Sequence, residues 1–192
     1  MTQKNSDYKP TLVLMAGLPG AGKTTLAAEL GRVLHWTVLN KDLLKQSLLR
    51  MQTGMSQEEA DEKAGREAYD LLFVLAEDFL VRQRLSVILD TSARHDFIIE
   101  QASQIAHAVG GQLKTILCRA SSSLRRERLI ERISFTLHHP FMGPMDTTTI
   151  ENDLECFRHL PKDKLIVETS YPLENYLEKV IKYLHPSEKE VV

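Results

Sequence analysis

Residues 17–24 read Gly17-Leu18-Pro19-Gly20-Ala21-Gly22-Lys23-Thr24, which fits G-x-x-x-x-G-K-[ST] directly after an apolar run. The chemistry of that pattern is triphosphate binding. Its glycines let the backbone curl until several N–H groups point into one concavity, and a helix starting at the lysine adds its positive end. Lys23 can neutralise the β- and γ-phosphates, and the Thr24 hydroxyl can bind Mg²⁺. With Thr25, the stretch from Gly17 onward forms the candidate binding set for ATP. A chance match in a chain of this length is on the order of one per cent from average residue frequencies.

Three further groups could act on such a triphosphate. Asp42 lies just past a second apolar strand, where a carboxylate can take the proton of an acceptor hydroxyl or simply cap the next helix. Asp90 ends a third strand and can hold Mg²⁺ or orient the acceptor, with Thr91, Ser92 and Arg94 behind it. The stretch SSSLRRERLIER crowds Arg125, Arg126, Arg128 and Arg132 onto about two helical turns, and Arg128 and Arg132 are i,i+4 neighbours on one face. Such a run is either a solvated helix pairing with Glu127 and Glu131 or a lid that supplies cations to a transferring phosphoryl group. The segment 135–149 carries His138 and His139, two prolines and a glycine, and reads as a loop that could shape an acceptor pocket or merely connect. No histidine spacing suggests a metal centre, and Cys156 with His159 is too small a set for zinc.

The elements that must position these residues alternate between strand and helix. Apolar runs at 11–17, 36–39, 86–90, 113–118 and 164–169 read as strands. Helical spacing is found at 23–34, from Asp42 to a stop at Gly54, over roughly 57–84 behind a Ser56/Glu59 capping box, at 95–109, from 121 to about 135, and at 172–184. In the long helix the expected inward stripe is Ala64, Ala68, Leu71, Leu72, Leu75 and Phe79. Strand–helix alternation implies an α/β three-layer fold, a five-stranded parallel sheet with helices on both faces. Ligands on such sheets sit beyond the carboxyl ends of the strands, which is where all the groups above fall.

The bulk properties fit one domain. The chain has 192 residues, a formal net charge of −2 and no apolar run near the ~18 residues of a membrane span. That charge balance gives no general attraction to nucleic acid. Cys118 and Cys156 read as reduced thiols of a cytoplasmic protein. Residues 1–10 read as a disordered lead, 11–185 as one domain with a lid at about 121–146, and 186–192 as a tail.

The ordering GLPGAGKTT, LNKDLLKQSL, LSVILDTS, RRERLIER and IVETSYPLENYLEKVIKYL resembles the small P-loop kinases of the AAA_33-like, zeta-toxin and chloramphenicol-phosphotransferase type. The resemblance spans about residues 10–185 and implies a P-loop NTPase fold with an arginine-rich helical lid. It implies Lys23 and Thr24 for phosphate and Mg²⁺, Asp42 as base, and Arg128 with Arg132 in the lid. Many relatives carry D-x-x-R after the second strand, the arginine gripping substrate. Lys45 stands at that position and cannot make the same bidentate contact, which argues against a polynucleotide end as acceptor. The expectation is an ATP-dependent kinase acting on a hydroxyl or phosphate of a small molecule. The alternatives are a nucleotide-gated binding module and a polynucleotide or nucleotide-end kinase.

Overall fold

The computed structural model describes residues 9–136 and 156–185, and the side chains of these apart from 132–136. The 135–149 loop with His138 and His139, the Arg132 side chain and the terminal segments 1–8 and 186–192 therefore lie outside the described residues or side chains.

The chain runs β1 (Thr11–Ala16), α1 (Lys23–Leu34), β2 (Thr37–Asn40), α2 (Lys41–Leu49), α3 (Gln57–Glu77), a π-helical turn (Asp78–Arg82), β3 (Val87–Asp90), α4 (Asp96–Ala108), β4 (Gln112–Arg119), α5 (Ser122–Thr136), β5 (Leu165–Glu168) and α6 (Glu174–Leu184). The strands form one parallel sheet in the order β2-β3-β1-β4-β5. β1 is central and wholly buried, because successive side chains point to opposite faces and both faces are covered. Leu12, Leu14 and Ala16 enter the core beneath α3 and α4, with Leu72, Ala76, Leu80, Ile98 and Ala102. Val13 and Met15 enter the opposite core beneath α1 and α6, with Leu26, Leu30, Val180 and Leu184. This is the expected three-layer arrangement.

Three local expectations change. The cap of α2 is Asn40, whose side-chain oxygen accepts from the Leu43 N–H at 2.9 Å, so Asp42 sits inside the first turn and is released from capping. That helix stops at Leu49, with Arg50 as C-cap, before Gly54 is reached. The long helix keeps its Ser56/Glu59 capping box, but α-helical bonding ends at Glu77 and a π-helical turn carries the chain to Arg82. Its buried stripe is Ala60, Ala64, Ala68, Leu72, Ala76 and Leu80, a strict every-fourth-residue row. Leu71 is exposed, because alanines on the buried face bring the helix close to its neighbours and leave the bulkier row outside. No helix among the described residues is long and apolar enough to cross a membrane.

Candidate functional site

The β1–α1 loop wraps tightly because two glycines occupy conformations closed to other residues. Gly20 and Gly22 both have φ of +77°. A Cβ on Gly20 would lie 2.6 Å from the Arg125 carbonyl oxygen, and one on Gly22 would lie 3.2 Å from the Thr169 hydroxyl. Left-handed backbone costs an ordinary L residue about 1–2 kcal/mol before any such clash. Gly22 is also the N-cap of α1, where no side chain occupies the capping position. With no side-chain cap there, the positive end of α1 is presented to the loop, a polarity that suits an anion. The loop, with its glycine φ angles and its lysine, fits a nucleotide triphosphate.

Lys23 and Thr24 follow on the first turn of α1. The Lys23 ammonium donates to the Leu18 carbonyl at 3.0 Å, so it folds across the same concavity. The Thr24 hydroxyl bonds the carboxylate of Asp90. Asp90 is almost fully buried at the end of β3 and also accepts from the Asn40 amide at 2.5 Å. Parallel pairing of β2 with β3 sets Asn40 opposite Asp90, which is why two residues fifty positions apart meet. Burial pushes the Asp90 carboxyl above its usual range. The Thr24 hydrogen bond, the Lys23 charge and the Asn40 bond pull it back, while the nearby Asp42 charge adds to the rise. The donors around it are a hydroxyl and a carboxylate, a hard oxygen set suited to Mg²⁺ that retains waters and phosphate oxygens. Among the described residues no group of three or more His, Cys, Asp or Glu could hold a metal by itself. Cys118 lies under the loop, buried, its thiol pushed up to about 12 by that burial.

Arg128 and Thr169 close the opposite wall. Arg128 donates to the Gly20 carbonyl at 3.2 Å, the Thr169 hydroxyl at 3.3 Å and the Thr169 carbonyl at 2.7 Å. The Thr169 hydroxyl reaches the Ala21 carbonyl at 3.1 Å and the Arg119 carbonyl at 3.0 Å. One hydroxyl thus ties the loop to the ends of β4 and β5. Arg125 instead turns into the body, where its Nε donates to the Ala120 carbonyl at 3.3 Å.

A cleft of about 840 Å³ runs over these groups, lined in part by Lys23, Thr24, Thr25, Asp42, Asp90 and Arg128. Thr91, Ser92, Arg94 and Lys45 line it too. Asp42 is exposed, with 69% of its side chain accessible and the Lys41 ammonium 3.7 Å away. Lys45 pairs with Asp61 on α3 at 2.7 Å. The cleft has three contributors that the sequence reading did not single out. Asn40 and Thr169 each stand at the carboxyl end of a strand, and that position was the signal available. Lys41 is mostly covered and lies over the Tyr69 ring, 5.1 Å from its centroid; burial lowers its pKa, and Asp42 opposes that shift. No sequence spacing pairs it with Tyr69.

The AAA_33 family model, an AAA domain, matches residues 12–135. The chain belongs to the AAA_33 family. In family and architecture it is a small P-loop kinase. A provisionally assigned kinase from Chloroflexus aurantiacus superposes with a TM-score of 0.72 at 25% identity, covering 94% of this chain and 99% of that one. The APS kinase of Mycobacterium tuberculosis, solved with AMPPNP and APS, shares the fold at a TM-score of 0.58 and 17% identity over 92% of this chain and 98% of that chain. A gluconokinase from Sinorhizobium meliloti shares it at 0.61 and 16% over 92% of each chain. A comparison with curated proteins finds no match. This AAA_33 chain thus carries a nucleotide-binding loop on a kinase fold, with Asp42 and Arg128 on the walls of the same cleft.

Proposed function

We propose that this protein transfers the γ-phosphoryl group of ATP to a hydroxyl or phosphate of a small-molecule acceptor, with Asp42 as the general base. The observation that carries the reading is that one cleft holds the phosphate-binding loop, the Thr24–Asp90 pair and the accessible Asp42 carboxylate. A protein that only bound nucleotide would need the first of these and not the last.

In this reading the loop N–H groups and Lys23 hold the phosphates. Arg128, already seated on the loop, adds a second cation to the side from which charge must be neutralised. Thr24 and Asp90 would hold Mg²⁺, which supplies charge neutralisation at the phosphate oxygens. Asp42 accepts the proton of an acceptor hydroxyl as its oxygen bonds to phosphorus and the bond to the leaving diphosphate breaks. Where the acceptor is a phosphate already ionised at the attacking oxygen, Asp42 orients it through a bound proton or water instead. Positioning and charge placement supply the acceleration, since the protein contributes no covalent step. Arg132, whose side chain lies outside those described, keeps only the lid role that the sequence resemblance implies for it.

The test is Asp42→Asn in a screen for acceptor-dependent ADP release. General-base loss lowers turnover by about 10²–10⁴-fold, with nucleotide affinity unchanged because Asp42 stands on α2 and not in the phosphate-binding loop. Full turnover in that variant would remove Asp42 from the chemistry.

A further inference from the structure

Beside the phosphate cleft, and joined to it through Lys41, lies a second hollow of about 370 Å³ between α3 and the start of α4. Its floor is aromatic. Tyr69 meets Phe97 edge to face, with ring centroids 5.3 Å apart and an interplanar angle of 83°. His95 lies parallel to Phe97 at 5.9 Å and 16°. Tyr69 is held from behind by its hydroxyl, 3.2 Å from that of Thr91 at the end of β3. Phe97 remains 43% exposed. An exposed ring in a hollow beside a reaction cleft is a surface for another ring.

A second feature of the same hollow points to an occupant independently. Gly65 lies in the middle of α3, where glycine weakens a helix relative to alanine. Packing does not call for it: a Cβ added there would meet only the flexible end of Lys45, at 3.9 Å. Its backbone is helical rather than left-handed, so no special conformation calls for it either. Gly65 lines the hollow, and the absence of a Cβ there lets a ligand approach the helix backbone closely. The neighbouring charges are largely matched on the protein: Arg66 pairs with Glu62, and Lys45 with Asp61.

We propose that this hollow, formed by Gly65, Tyr69, His95 and Phe97 beside Lys41, is the acceptor subsite and takes a hydroxylated molecule with a planar ring. The ring stacks against Phe97 with its face toward Gly65, and Lys41 marks the side from which its hydroxyl reaches Asp42. The identity of the occupant as a phosphoryl acceptor rests on the function proposed above; the preference for a planar ring rests on the hollow alone.

The test uses the full chain loaded with a non-hydrolysable ATP analogue and Mg²⁺. Dissociation constants are measured by NMR titration for 4-(hydroxymethyl)benzoate and for its ring-saturated analogue, 4-(hydroxymethyl)cyclohexanecarboxylate, which has the same charge and hydroxyl. The aromatic probe is expected to bind about two- to tenfold more tightly, the range that ring stacking contributes. Phe97→Ala should abolish that preference, and Gly65→Ala should weaken aromatic binding while raising the thermal midpoint, a combination a purely structural glycine would not give. Equal binding of the two probes, or a preference that survives both substitutions, overturns the proposal. With ATP in place of the analogue, ring-selective binding without ADP release would sink the kinase reading and leave the ring subsite standing. Turnover of an aliphatic polyol at a kcat/KM that Phe97→Ala does not change would do the reverse.

Discussion

The two sides of the cleft are built differently. On the donor side, backbone does the positioning: left-handed glycines shape the loop, and Arg128 and Thr169 fasten it to the ends of β4 and β5. Asp90 is buried there and bonded by Thr24 and Asn40. On the side proposed for the acceptor, Asp42, Lys41, Tyr69, His95 and Phe97 project from the start of α2, from α3 and from the turn into α4, most of them partly accessible. A phosphate chain is the same in every nucleotide, so its binding can be fixed in the backbone. An acceptor differs from one kinase to the next, so its contacts fall on side chains that can change without disturbing the sheet.

The difference can be broken first at the donor lysine. Lys23→Ala should lower phosphoryl transfer by about 10²–10³-fold, the loss typical of removing one preorganised charge-stabilising donor, while the thermal midpoint stays close to that of the parent. Parent-level turnover in that variant would contradict the loop's role.

Gly22→Ala comes next. It forces a Cβ into left-handed backbone and against Thr169, and should cost about 1–3 kcal/mol of stability, together with a loss of nucleotide affinity. Gly65→Ala, on the acceptor side, should move stability the other way. Thermal denaturation of the two variants side by side sharpens the contrast, since the same substitution is destabilising in left-handed backbone and stabilising within a helix.

Thr169→Val strips the hydroxyl shared by the Ala21 and Arg119 carbonyls and is expected to cost about 1–3 kcal/mol in denaturant unfolding. An unchanged midpoint would mean that the loop is held without it.

The smallest effect concerns Asp90 and pH. Its folded-state pKa is raised, mainly by burial, so relative to other carboxylates it favours the fold when protonated. That contribution is present below the unfolded pKa and is lost as pH rises through the folded value. Near neutral pH the ionised group is therefore a net cost, and Asp90→Asn should raise the thermal midpoint by a few degrees while lowering Mg²⁺-dependent turnover. The gain should vanish in acid. A gain that persisted at low pH would point to packing rather than charge.

The β1–α1 loop and the strand ends beside it were legible in the sequence because their determinants are local. Eight consecutive residues specify the loop, and Asp90 is marked by the apolar strand it ends. The sheet and its layers followed from alternating periodicity, and the Ser56/Glu59 box placed the start of α3. The start of α2 was misread because Asn40 and Asp42 both suit a cap, and the choice fell to backbone geometry: the cap needs an extended conformation, which Asn40 keeps as the last residue of β2. The buried face of α3 was also shifted. Hydrophobicity favoured its leucines, while close approach to the neighbouring elements favoured the alanine row. The bonding of Thr169 to the loop and the Lys41–Tyr69–Phe97 arrangement could not be read in advance, since each joins residues from separate elements whose meeting depends on strand order.

The most direct test of the account is transfer of labelled γ-phosphate from ATP to an acceptor found by an ADP-release screen, compared between the parent chain and Asp42→Asn at equal nucleotide occupancy. The account predicts a covalently labelled acceptor with the parent chain, and transfer reduced by about 10²–10⁴-fold in the variant at an unchanged nucleotide dissociation constant. Equal transfer by both proteins would contradict it.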